Sequence, residues 1–381
     1  MCRERCAAPA DGPVHSNPRA GLLCAAEAGL TVHPLIMTGA SVVELLVCPR
    51  CRIALAEAPG GTALACPVCT VAYPMKDGIP IVLPPNAGGD PADTPTDEGH
   101  KARQVAYFDT PPDDDFGVTR PRGAPALYES LLRDKFRRSI LGLEDVVRGS
   151  TVLVVCGGSG LDAELLVEAG ARVIVSDISL GVLLQAQERS RRFGLGFELV
   201  VADVEALPFA DHSVDVVYVH DGLHHLEHPR AGLAEMGRVA RRALSVSEPA
   251  QSFATTIAVR LGVAERQEEA GNAVARLDLD ELERTVRSYG FRPLHPHRYA
   301  MFYRHWPGPV MRALSQRSVA PFVRGLYGLA NRAVGRFGNK LTVQAIRESA
   351  TERPRAASSH DDARRRPETG TGNGVSANPP P

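Results

Sequence analysis

A strand that runs straight into a glycine turn constrains this chain more than any other feature. Thr151–Gly160 reads TVLVVCGGSG, a β-branched run closing on three glycines, and Asp162–Ala169 continues with helical spacing. Ala171–Asp177 is a second apolar run, ending in an acid 17 residues after Gly160. Strand, turn, helix, strand and acid in that order make a βαβ unit, which requires a parallel sheet covered by helices. Glycines in such a turn let a backbone approach a cofactor closely, and an acid closing the next strand suits ribose hydroxyls.

The pattern continues beyond this unit. Phe197–Asp211 (FELVVADVEALPFAD) is a third strand followed by an acid and a Leu-Pro-Phe turn. Ser213–His220 is a fourth strand, closing on Asp221-Gly-Leu-His-His-Leu226. A helix is expected over Arg230–Arg242, a fifth strand over Ala243–Glu248 and a last strand over Lys340–Arg347. Together these segments resemble the class I S-adenosylmethionine-dependent methyltransferases, particularly their type-11 branch of small-molecule enzymes. The register is good over 150–248 and looser to 347. The resemblance implies an α/β fold, a Rossmann-like sheet with helices on both faces, and S-adenosyl-L-methionine as cofactor. It assigns Gly157, Gly158 and Gly160 to the cofactor loop, Asp177 with Ile178 to the ribose, and Asp203 with Val204 to the adenine edge. His220 and Asp221 fall where the fourth strand would deliver residues toward the sulfonium. Two positions depart from the family pattern: Val154 replaces the usual acid of the first strand, and Cys156 the usual first glycine. They leave open a non-catalytic cofactor-binding regulator.

Methyl transfer from a sulfonium is an in-line displacement, so positioning can supply much of the acceleration. A base is needed only where the acceptor must lose a proton. His220, Asp221, His224 and His225, with His228, form the candidate catalytic cluster. They can supply a general base or a metal site, or shape the loop by packing. Ahead of the glycine unit, 104–128 is expected to form a helical cap in which Tyr107 and Tyr128 contact ligand or pack in the core. Beyond the fifth strand, the polar Glu268–Asn272 lies where acceptor pockets are commonly built.

A second unit is carried by cysteine spacing. Cys48-Pro-Arg-Cys51 and Cys66-Pro-Val-Cys69, separated by 14 residues, present four thiolates on two knuckles. Each C-x-x-C turn offers two sulfurs to one tetrahedral ion, and so short a segment needs such a staple. A structural Zn2+ is therefore expected at Cys48, Cys51, Cys66 and Cys69. With Tyr73-Pro-Met-Lys-Asp-Gly-Ile-Pro80, residues 41–85 resemble the small zinc ribbons that activate methyltransferases. That resemblance implies docking on a catalytic partner, here fused in cis; a purely stabilising role is the other reading.

The expected organisation is a disordered extension over 1–40, the ribbon over 41–85, a linker over 86–100, the catalytic domain over 101–347 and a disordered tail over 348–381. Met37 is an alternative start. No apolar run nears the roughly 18 residues that cross a bilayer, and paired cysteines without an export signal suggest a cytoplasmic protein. Forty-three basic against 44 acidic residues give a net charge of −1, which excludes a uniformly basic nucleic-acid binder. Only four of the 43 basic residues are Lys, so a lone Arg says little. The average hides a local asymmetry. Arg284–Arg347 holds 12 Lys and Arg and no acid. This face can receive an anionic acceptor, touch a membrane surface or RNA, or pair with the acid-rich Asp109–Asp115. The function expected is methyl transfer to a small or carrier-linked metabolite. RNA methylation is the alternative, although the fourth strand lacks an Asn-Pro-Pro-Tyr type motif.

Overall fold

The computed structural model describes residues 41–84, 99–109, 115–251, 277–301 and 306–348. The expectations for 1–40, for most of the 86–100 linker, for Glu268–Asn272 and for the tail beyond Glu348 lie outside them.

Five parallel strands form the centre: β5 (Thr151–Val155), β6 (Arg172–Asp177), β7 (Glu198–Ala202), β8 (Val214–His220) and β9 (Ala240–Pro249). Their order is β7-β6-β5-β8-β9, so the winding reverses between β5 and β8 and opens a crevice at the carboxyl ends. Val152 through Val155 are buried, as a strand covered by helices on both faces requires. β12 (Lys340–Arg347) joins β9 antiparallel, and β10 (Phe291–Pro293) and β11 (His297–Tyr299) pair with β12.

The helices that cover this sheet begin and end where the sequence supplies caps. α6 (Leu161–Glu168) starts at Gly160, whose φ of 78° few other residues would adopt. α7 (Leu180–Phe193) is capped by the Ser179 hydroxyl on the Val182 N–H and stops at Gly194 in the left-handed region. α8 (Pro229–Val239) is shorter than the helix expected over 230–242. The chain is already extended at Ala240, with Arg241 and Arg242 exposed at the start of β9. α2 (His100–Asp109) begins on the last residue assigned to the linker, and α4 (Ala126–Ser139) buries Tyr128 completely.

The cysteine unit is part of the same sheet. Its hairpin strands β1 (Ala56–Glu57) and β2 (Ala63–Ala65) turn through Gly60 and Gly61, both at positive φ. β3 (Ala72–Lys76) leads to β4 (Ile79–Val82), which pairs in parallel with the edge of β7, Ile81 opposite Val201 and Val82 opposite Ala202. Leu46, Tyr73 and Val82 share one core cluster with Val200, Leu207 and Phe209. The edge that β7 would otherwise expose is thus covered within the chain.

Candidate functional site

A cavity of about 330 Å3 lies at the carboxyl ends of the parallel strands. Gly157 and Gly158 line it from the turn after β5, Asp177 and Ile178 from the end of β6, Asp203 and Val204 from the end of β7, and His220 and Asp221 from the end of β8. Gly160 lies just beneath, where a Cβ would come within 3.0 Å of the Phe197 ring. α2 closes the cavity with His100, Lys101, Gln104 and Phe108. Tyr107 and Tyr128 do not line it; Tyr128 belongs to the core.

The glycine turn is held in shape from several sides. Cys156 adopts φ 51°, the conformation a glycine would occupy freely, so the substitution preserves the turn at the expense of backbone strain. A Cβ on Gly158 would meet nothing within 4 Å, whereas one on Gly157 would strike Val175 at 2.4 Å. The Gly158 N–H donates to Asp177 Oδ2 at 3.0 Å and the Ser179 N–H to Oδ1 at 3.1 Å. Burial pushes the Asp177 carboxyl above its ordinary value against these donors. Burial, with the negative charge of Asp177 nearby, also pushes the Cys156 thiol well up, leaving it protonated and unreactive. Arg189, fully buried in α7, donates to the carbonyls of Ser159, Arg120 and Gly117 and meets Glu164 at 2.7 Å.

Polar groups at the other end divide into two sets. Asp221 sits at φ 55°, and its carboxylate bridges Lys135 Nζ at 2.8 Å and Lys340 Nζ at 2.5 Å. Burial works against ionisation there, but the two ammoniums hold the carboxyl well below the usual range. Asp221 is thereby a weak base. Beside it, Tyr218 Oη donates to Asp162 at 3.0 Å and lies 3.0 Å from His220 Nδ1. With the phenol proton on Asp162, Tyr218 Oη accepts from Nδ1–H, and the lone pair of His220 falls on Nε2. That Nε2 is buried with no partner among the described residues. Burial, and then the Lys135 charge, lower the His220 pKa below 6.5, so the ring is neutral at pH 7.

The adjacent histidines separate. His225 lines the cavity, with its ring edge-on to Phe108 at 5.7 Å and its carbonyl 2.7 Å from His100 Nε2. His224 is buried against Glu248, Nδ1 to Oε2 at 2.7 Å, while Glu248 also accepts the N–H groups of Gly222 and Leu223. His228 is on the rim, 3.4 Å from Glu205. Among the described residues, His220, Asp221 and a second histidine do not converge as metal ligands.

Sequence reasoning passed over the lysines. Lys101 bonds Asp203 at 2.6 Å and Glu205 at 2.8 Å; burial opposes its charge, but the two carboxylates raise its pKa. With Lys135 and Lys340, three of the four lysines therefore serve this cavity. In so Arg-biased a chain, the rarity of Lys was the available signal.

The four cysteine sulfurs lie within 4.8 Å of one another, with Cys48 and Cys69 3.7 Å apart. Sulfurs at about 2.3 Å from a tetrahedral Zn2+ stand about 3.8 Å apart, so this donor set fits that ion. The Cys69 sulfur pushes the Cys51 thiol up to about 12, and backbone N–H donation from Cys69 pulls Cys66 down to about 7.

Residues 153–243 match the family described as a methyltransferase domain. These residues form a methyltransferase domain. Over 107 residues it is 36% identical to a demethylmenaquinone methyltransferase of Renibacterium salmoninarum, covering 28% of this chain and 44% of that protein. A ubiquinone/menaquinone biosynthesis C-methyltransferase of Stenotrophomonas maltophilia is 37% identical over 111 residues, with the same two coverages. The chain thus spans less than half the length of these relatives. Among solved structures, magnesium protoporphyrin IX methyltransferase of Synechocystis PCC 6803 aligns with a TM-score of 0.44 and 16% identity, over 66% of this chain and 100% of that one. The matched methyltransferase segment ends in β9, ahead of β12, which brings Lys340 to Asp221.

Proposed function

We propose that this protein transfers a methyl group from S-adenosylmethionine to a small acceptor carrying an ionisable hydroxyl or enol. The observation that carries the reading is the Gly158–Asp177 hydrogen bond, which sets a ribose-binding acid against an open glycine turn in one cavity with His220. Asp177 retains lone pairs for two ribose hydroxyls, and Asp203 with Val204 flanks the adenine. Val154 cannot serve the ammonium end, but Asp162 lines the same cavity and titrates at about 2, so it remains an anion able to do so. Bound there, the cofactor supplies an electrophilic methyl with a neutral thioether as leaving group. His220 Nε2 takes the proton of the acceptor hydroxyl, and Lys135 and Lys340 stabilise the developing negative charge. The relatives are named as a demethylmenaquinone methyltransferase and a ubiquinone/menaquinone biosynthesis C-methyltransferase, which supports a small-molecule acceptor here. A carrier-linked acceptor is compatible with the same chemistry.

Zn2+ at Cys48, Cys51, Cys66 and Cys69 would stabilise the ribbon and, through β4, the edge of the sheet at β7.

Calorimetry with S-adenosylmethionine tests the reading, followed by transfer of a tritiated methyl into extract separated as RNA, lipid, protein and small molecules. Binding that weakens in Asp177→Ala, with label in small molecules or lipid, is expected. Absence of binding, or label in RNA alone, would defeat it.

A further inference from the structure

Beyond the cavity, α10 (Pro309–Leu314) and α11 (Ala320–Val334) carry an apolar surface with no partner among the described residues. Phe322 is 73% exposed, Leu326 57% and Leu329 63%, and the 4- and 3-residue spacing stacks them in one stripe along α11. Val310, on α10, and Phe337, beyond the end of α11, are exposed as well. The opposite face of α11 is the one that packs, with Ala320 buried and Asn331 bonded to the backbone of Ala300 at both its N–H and its carbonyl. The stripe is therefore not a helix waiting to close onto the core.

Its charge is equally one-sided. Arg312 on α10, Arg317 between the helices, Arg324 and Arg332 on α11 and Arg336 just beyond it are exposed, and none makes an ion pair among the described residues. Of the cap's described acids, Asp109 accepts from Ser179 and Gly181, and Asp115 pairs with Arg192 on α7. On α11, Arg332 flanks the apolar stripe, and an arginine beside large apolar side chains is the pattern of a helix lying in the plane of a membrane surface, with apolar groups among the acyl chains and guanidinium groups at lipid phosphates. RNA would call on the arginines but leave Phe322, Leu326 and Leu329 unexplained.

We infer that α10 and α11 dock the protein on an anionic lipid bilayer. The stripe supplies the apolar burial, and the unpaired arginines make attachment depend on negatively charged headgroups. A short 3-10 turn, Gly335–Phe337, joins α11 to Lys340, which bonds Asp221, so the attachment lies a few residues from the acceptor end of the cavity. The inference stands on this surface alone and does not depend on which acceptor is methylated.

The test is co-sedimentation of the full chain with sucrose-loaded vesicles of phosphatidylcholine containing phosphatidylglycerol, against phosphatidylcholine alone. The wild type is expected to pellet with the anionic vesicles, at least about tenfold more than with the neutral ones, and to be released as salt rises. Leu326→Glu with Leu329→Glu should lower partitioning at least about tenfold while leaving thermal unfolding and cofactor binding unchanged, because both side chains are exposed. Arg332→Gln with Arg336→Gln should weaken binding to the anionic vesicles only. The inference is overturned if the wild type does not pellet, or if the leucine variant pellets equally. It is also overturned if the chain is a dimer that the leucine variant dissociates, or if the arginine variant loses binding to an RNA oligonucleotide while vesicles are ignored.

Discussion

The Gly158 N–H donates to the carboxylate of Asp177 at 3.0 Å, tying the turn after β5 to the end of β6. The bond does two things at once: it fixes the glycine backbone and aims the acid. Asp177→Ala removes both, together with up to two charge-assisted bonds to ribose. A loss of about 2–4 kcal/mol in S-adenosylmethionine affinity is expected, roughly 30- to 1,000-fold in Kd by calorimetry. Unchanged affinity would show that the ribose is held elsewhere.

His220 is the one cavity histidine with a buried nitrogen lacking a partner among the described residues, and it is neutral at pH 7. His220→Asn should lower kcat by about 100-fold or more if the acceptor must lose a proton. The wild-type rate should fall with acid only below pH 6.5, as the ring gains a proton, and that limb should vanish in the variant. A variant that keeps it would place the base on another residue.

Asp162 titrates at about 2 in the folded chain against an ordinary 3.8. Burial would raise it, but His220, charged only once acid protonates its ring, and then Lys135 pull it down. A depressed carboxyl contributes stability that is full above about pH 4 and is lost as pH falls toward 2. Asp162→Asn should therefore be less stable than the wild type, by up to about 1–2 kcal/mol. Urea unfolding at descending pH should show the gap closing below pH 4.

Arg189 is completely buried, and its guanidinium satisfies Glu164 and three backbone carbonyls. Arg189→Met would leave these acceptors without their donor, while Arg122 still pairs with Glu164 from the solvent side. A loss of about 3 kcal/mol is expected in urea unfolding, with weaker cofactor binding because Ser159 is in the glycine turn. A variant as stable as the wild type would contradict this account.

The ribbon shares its core with the methyltransferase domain through Tyr73, Val82, Val200 and Phe209. Stripping metal with a chelator, or Cys48→Ser, should lower the thermal midpoint of the whole chain and expose apolar dye-binding surface. One equivalent of zinc per chain is expected by elemental analysis. Expressing 85–381 alone should give an aggregating product, since the β7 edge opens. A soluble, equally stable 85–381 would make the ribbon dispensable to the fold.

The legible parts of this protein were the local ones. Runs of β-branched residues mark β5 to β8, and the glycine turn with Asp177 sets the register of the cavity, because apolar runs and turn chemistry are properties of neighbouring residues. The two C-x-x-C knuckles are legible for the same reason: each turn by itself presents two sulfurs.

Pairings across long stretches of chain were not legible. Lys135 and Lys340 reach Asp221 from 86 and 119 residues away, and nothing in the local sequence of either marks that meeting. Adjacent histidines look alike in sequence, yet the backbone after β8 turns His224 onto Glu248 and leaves His225 at the cavity. The acid-free stretch was visible as composition. Only the packing of Asn331 and Ala320 decided which face of α11 is inside, and so which apolar side chains remain in solvent. Sequence by itself determined the elements and the chemistry each can offer. The tertiary structure decided which charges neutralise one another and which apolar faces are left uncovered, because both depend on proximity in space between residues far apart in the chain.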